Sequence, residues 1–289
     1  MRKRWKEVGL GSLTLLAVVL AVAAFQILFK RHVPVEVGQV GLAAAVLLVY
    51  VAAARWIERR RVSEFALDRA APELAAGLVA GFVLFATVMA VLWALGIYRF
   101  QGTGAAKAIT AGLAVAVMAA ILEEIVFRGI LFRLSSKIVG TWGALLFTSA
   151  LFGLAHLGNR GATLSSGAAI VLEAGVLLGA AYAATRRLWL PIGLHIGWNF
   201  TEGSVFGMSV SGNSAAGSAA DSAWLRGSLS GPQILTGGAF GPEASIVAVL
   251  VCLLLALYLL RRAVRLGRIE SPAWIQSRNS VPEASKVIS

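Results

Sequence analysis

Long apolar runs separated by short basic or glycine-rich stretches set the pattern of this chain. Eight of them approach or exceed the roughly 20 apolar residues a helix needs to span a hydrocarbon layer. They cover residues 8–29, 38–56, 74–97, 105–127, 138–157, 168–185, 188–206 and 244–260. The prediction is an all-α polytopic membrane helix bundle of about eight transmembrane helices. The first run follows Arg2, Lys3, Arg4 and Lys6 and contains Ala21-Val22-Ala23, which also suits a cleaved signal peptide. Because the apolar run continues to Phe29, it reads as a retained first helix.

The basic residues cluster at the ends of the runs. If the N-terminus is cytoplasmic and all eight runs cross, 20 of the 26 Lys and Arg fall on the cytoplasmic side. The other side then holds only Lys30, Arg31, Arg99, Lys107, Arg160 and Arg226. That asymmetry follows the positive-inside rule and predicts both termini in the cytoplasm. Five regions are expected. Residues 1–100 form an N-terminal three-helix region, and 101–206 a core of four helices. Residues 207–243 form a Gly/Ser-rich outer loop too poor in apolar groups to pack, ending at Gly241-Pro242-Glu243, which suits a helix start. Residues 244–268 form the last helix, and 269–289 a disordered cytoplasmic tail.

Composition narrows the class further. Hydrophobic residues make up 58% of the 289 and charged ones 14%, against about 25% charged in soluble domains. Too few charges remain to cover a soluble exterior. The net charge of +12 is spent on orientation, so nucleic acid is not an expected partner and the lipid bilayer is. The single cysteine, Cys252, excludes an intrachain disulfide and a cysteine-based zinc site. The Ala/Gly/Arg-rich composition and short loops suggest a bacterial cell membrane.

Ionisable groups inside the layer are costly and mark sites by default. Few occur: Glu123, Glu124 and Arg128 late in the fourth run, His156 in the fifth, Glu173 in the sixth, and His195 with Asn199 in the seventh. Residues four apart share a helix face, so Glu124 and Arg128 are placed to pair, and Glu123 points elsewhere, free to face a cavity. A poorly hydrated carboxylate suits a general base, and a structural or solvated acid is the plainer reading. Phe152 shares a face with His156, which alone could be an interhelical hydrogen bonder. His195 and Asn199 present two donors side by side, suited to an oxyanion or to interhelical bonding. Together these residues supply the parts for peptide hydrolysis. Two His and one Glu are also a zinc ligand set, although the His-Glu-x-x-His spacing is absent. Glu202, one turn beyond Trp198, reads as solvated near the outer boundary. Glu173 could line the cavity or pair with Arg186 or Arg187. Gly175-x-x-x-Gly179 and Gly193-x-x-x-Gly197 read as packing faces.

Glu123-Glu124-x-x-x-Arg128, Phe152-x-x-x-His156 and His195-x-x-x-Asn199, in that order, resemble the signature of the CPBP family. It comprises CAAX prenyl endopeptidases and bacteriocin-processing intramembrane proteases, with lysostaphin-resistance-A-like members. The resemblance covers residues 121–200 and implies an eight-helix intramembrane endopeptidase acting on a membrane-associated peptide or protein. It implies that Glu123, assisted by His156, activates water, that His195 and Asn199 stabilise the oxyanion, and that Glu124 and Arg128 support them. Zinc is a candidate cofactor, with Glu123, His156 and His195 as its ligands. The alternative is a non-enzymatic immunity or scaffold protein that binds a partner through the same cluster. A proton-linked carrier would need inverted repeats and broken helices, which the sequence does not show.

Residue counting raises one conflict. Glu123 and His195 fall toward the cytoplasmic ends of their helices and His156 toward the outer end of the fifth. The three can meet only if the fifth helix starts later than Ile138, with residues 135–144 along or within the interface.

Overall fold

Each of the eight apolar runs forms helix over most of its length in the computed structural model, which describes residues 2–29, 33–104, 109–213 and 223–275. The helices are α1 (Arg2–Phe29), α2 (Val35–Trp56), α3 (Ala70–Ala94), α4 (Ile109–Glu124), α5 (Arg133–His156), α6 (Leu164–Ile170), α7 (Val176–Thr185), α8 (Trp189–Phe200), the short α9 (Gln233–Thr236) and α10 (Ile246–Arg265). Wider π-helical turns carry α4 into α5 (Ile125–Phe132), α6 into α7 (Val171–Gly175) and α8 onward (Thr201–Val205). The chain is thus an all-α polytopic bundle, with one antiparallel pair of strands among the described residues, β1 (Tyr98–Thr103) and β2 (Leu225–Leu229).

Among the described residues, six helical stretches are long and apolar enough to cross a membrane. This differs from eight for two physical reasons. The α8 stretch falls short of the length needed, and residues 109–156 form one helical run of 48 residues. At 1.5 Å per residue that run would be about 72 Å long, more than twice the hydrocarbon thickness. It is folded double instead. Gly140, at φ 73° and ψ 176°, breaks the helix where only glycine enters that conformation cheaply. Phe127 and Phe152 then meet across the hairpin with ring centroids 4.9 Å apart.

That turn removes the conflict raised by residue counting. Glu123 lies 17 residues before Gly140 and His156 lies 16 after it. The two side chains are therefore about 25 Å and about 24 Å from the bend, at one level. Residues 135–139 continue the descending helix, and the ascending helix starts at Thr141, later than Ile138 as the three residues' meeting requires.

Many of the basic groups assigned to one side meet at one end of the bundle. Glu58 accepts from Arg60 at 2.9 Å and Arg133 at 2.8 Å. Lys137 pairs with Glu7, and Arg187 with Glu73. Lys30, Arg31, Lys107, Arg278 and Lys286, which enter the charge count, lie outside the described residues. The predicted tail is held where it is described. Glu270 exchanges two hydrogen bonds with Thr141 just past the bend, and its carboxylate lies 3.0 Å from Arg186. Residues 276–289, the rest of that tail, lie outside the described residues.

The outer loop also differs from expectation. Its strand β2 pairs with β1, Phe240 packs on Phe152 and Ile170, and Pro242 and Glu243 are buried. Pro242–Ala244 form a separate turn, and the last helix is capped instead by Ser245, whose hydroxyl accepts from the Ala248 amide. Low apolar content does not keep this segment loose, because a few side chains suffice to pin it. Residues 214–222 of the loop lie outside the described residues.

Small residues bring α3 and α8 together. Gly77 and Gly81 face Gly193 and Gly197, so the backbones touch: a Cβ on Gly81 would lie 2.2 Å from the Leu194 carbonyl oxygen. This seam fixes the helix that carries His195 and Asn199. Gly81→Ala is expected to lower stability by about 1–3 kcal/mol through overpacking. Gly9→Ala, where an added Cβ meets nothing within 4 Å, should not. Denaturant titration in mixed micelles compares the two, and equal midpoints would contradict the seam.

Candidate active site

Three helices deliver the polar residues to one level of the bundle. Glu123 and Glu124 end α4 just before its π-helical turn, His156 ends α5, and His195 lies mid-α8. Glu124 and Arg128 pair at 2.9 Å and are almost completely buried. The guanidinium also donates to the carbonyls of Ala174 and Gly175, and it sits 4.8 Å over the Phe152 ring. Opposite charge, carbonyl acceptors and a ring face together compensate a cation that would otherwise be costly to bury.

From this anchor a chain of contacts runs to the cavity. Glu124 Oε1 lies 3.1 Å from His195 Nδ1. Glu124 Oε1, which already accepts from Arg128, also accepts Nδ1–H from His195, and Nε2 is turned toward Glu123 Oε2 at 3.9 Å. His156 is fixed in parallel. Its Nδ1 lies 2.7 Å from the Phe152 carbonyl oxygen and so carries the proton, leaving Nε2 free and 4.0 Å from the same Glu123 oxygen. The Phe152 ring, with its centroid 4.6 Å from that of His156, supports the imidazole. Glu123 Oε2 is buried and has no hydrogen-bond partner among the described residues. A gap of about 4 Å to each nitrogen is short for two bonds in series and suits one water placed off the line.

His156, His195 and Asn199 line one cavity, which has room for water beside them. The four-residue spacing puts Asn199 beside His195 on one helix face, and both border this space. The cavity continues to Glu173, Ser211 and Glu243. Glu173 does not pair with Arg186 or Arg187, which pair with Glu270 and with Glu73 and Asp68. Glu202 is fully buried, contrary to the solvated reading. The loop that folds back over the end of α8 covers it, through Met208, whose amide donates to the Glu202 carbonyl. Glu243 reads in the sequence only as a helix-start acid. Its role in the cavity wall depends on the loop's path, which no local spacing encodes.

The zinc ligand set fits poorly. Zinc takes its donors at about 2.0–2.2 Å, so tetrahedral donor atoms lie roughly 3.4 Å apart. The Glu123 oxygen is wider than that from both imidazoles, and among the described residues no group of three His, Cys, Asp or Glu could hold a metal ion.

A multi-pass helical membrane protein with acids and imidazoles gathered at a small internal cavity is the class that fold and site define. Residues 105–201 match the model of the Rce1-like family, type II CAAX prenyl endopeptidases, and this bears out the resemblance carried by the three motifs. The match spans roughly a third of the chain and includes every residue of those motifs. No curated protein and no solved structure matches the chain.

Proposed function

We propose that the protein is an intramembrane endopeptidase that hydrolyses a peptide bond of a membrane-associated substrate. The observation that carries this reading is the Glu123 oxygen, unpartnered and equidistant from two imidazole nitrogens. A water between Glu123 and His156 gives a proton to the carboxylate as its oxygen attacks the scissile carbonyl. His156 Nε2 accepts that proton and returns it to the leaving nitrogen. Donors at the oxyanion come from Asn199 and from His195 as imidazolium, the form in which Nε2 as well as Nδ1 carries hydrogen. Arg128 serves by fixing Glu124, and no step passes through a metal.

The test is cleavage of quenched-fluorescent, membrane-anchored peptides by purified protein in lipid. His195→Ala is expected to reduce turnover by about 10²–10³-fold, the usual cost of losing one oxyanion donor. A chelator should leave the wild-type rate unchanged. Loss of activity with the chelator that zinc restores would replace this mechanism with a metal-dependent one. Wild-type turnover matched by His195→Ala would remove His195 from the chemistry.

A further inference from the structure

The outer half of the cavity holds an excess of acid that the hydrolytic scheme does not use. Glu173, Glu202 and Glu243 come from three separate elements and are each at most 2% exposed. Glu173 and Glu243 line the same space as His156 and His195, and Glu202 stands against Glu243. No Lys or Arg among the described residues forms an ion pair with any of the three. On the opposite side of the cavity, by contrast, Glu124 has Arg128. Both carboxylate oxygens of Glu202 and one of Glu243 are buried without a partner among the described residues. The Glu202 and Glu243 carboxyls lie within hydrogen-bond reach of one another, a contact that needs a proton between them. Burial pushes the Glu243 carboxyl above the usual carboxylate range, which suits such sharing.

Two observations besides the acids point to a ligand here. Buried side-chain oxygens without a partner are costly unless something meets them. Glu173 and Glu202 also each sit in a π-helical turn, an irregularity that aims side chains at functional sites more often than elsewhere. Apart from the contact between Glu202 and Glu243 themselves, these oxygens meet no donor among the described residues. A primary ammonium brings three donors on a compact head, whereas a guanidinium is a wide planar fork with five. A metal is disfavoured, because no group of three acids, His or Cys among the described residues has the geometry for one.

We infer that Glu173, Glu202 and Glu243 form a subsite for a lysine side chain of the peptide, next to the scissile bond. This inference rests on the endopeptidase reading and names its substrate class: membrane-associated peptides with lysine close to the cleaved bond. The shared proton passes to solvent water as the ammonium enters through the open side of the cavity, so the carboxylates exchange one cation for another. Glu243 stands in the cavity wall, where an entering side chain would meet it.

Matched peptides carrying lysine, arginine or norleucine at each position near the cleaved bond test this in lipid. The readout is the ratio of kcat/KM for lysine over norleucine, which have the same stem and differ in the charged head. Wild type should favour lysine by tenfold or more at one position, mainly through KM. In Glu243→Gln and in Glu202→Gln that ratio should fall toward one, whatever the overall rate. A wild-type ratio near one at every position, or a ratio kept in both variants, would overturn the subsite. A tenfold preference for arginine over lysine would overturn the ammonium assignment. The same peptides are titrated against wild-type protein by isothermal calorimetry. If nothing is cleaved but lysine peptides bind tenfold tighter, the subsite stands and the endopeptidase reading falls.

Discussion

Glu123→Gln is expected to abolish peptide cleavage while leaving the protein folded. The exchange keeps the size and shape of the side chain and removes the group that accepts a proton from water. General-base catalysis contributes about 10²–10⁴-fold, and the loss should fall in that range. Stability should change little, because Glu123 Oε2 has no hydrogen-bond partner among the described residues and its side chain is partly exposed. This separates catalysis from structure. Single-turnover cleavage and a mixed-micelle denaturation midpoint, measured on one preparation, give both answers. A variant with wild-type turnover would end the water-activating role of Glu123, and one that unfolds would show that the carboxylate serves the fold.

The helices and most of the polar cluster are legible in the sequence because the membrane imposes a simple rule. A segment without water must satisfy its backbone internally, so length and apolarity are enough to mark a helix. The same cost makes intramembrane acids and imidazoles rare, which is why Glu123, Glu124, His156 and His195 stand out among the apolar runs. Spacing then gives the local geometry. Glu124 and Arg128 are four apart and do pair, and Glu123 does face away from that pair and into the site.

What is not legible depends on contacts between distant segments. Nothing local in Ser135–Ala144 says that the descending helix continues to Gly140. A glycine there is only one of 31 in the chain, and its role shows in its φ alone. The burial of Glu202 and Glu243 has the same origin. Each looks like an acid near a boundary, and each is enclosed by a loop whose composition argues against packing. That loop is pinned by Phe240 on Phe152 and by strand pairing across more than a hundred residues, neither of which leaves a periodic mark.

Glu124→Gln should cost more stability than Glu123→Gln, although the two acids are neighbours in sequence. Arg128 is almost fully buried, and Glu124 supplies its counter-charge. Removing one partner of such a pair leaves an uncompensated buried charge and costs about 3–5 kcal/mol. The carbonyls of Ala174 and Gly175 and the Phe152 ring soften that loss without cancelling a whole charge. Activity should fall as well, by on the order of 10²–10⁴-fold, since His195 loses the carboxylate that fixes its tautomer. The double variant Glu124→Gln/Arg128→Met separates the two effects. Replacing a buried ion pair by uncharged groups of similar volume is often near neutral, so the double variant should regain much of the stability lost by the single one. Its activity should stay low, because the oxygen that orients His195 Nδ1 no longer carries charge. Denaturation midpoints and cleavage rates for the single and double variants complete the test. Full recovery of activity in the double variant would mean that Glu124 acts only by neutralising Arg128, and that His195 is held in place by the packing of α8 against α3 and α4.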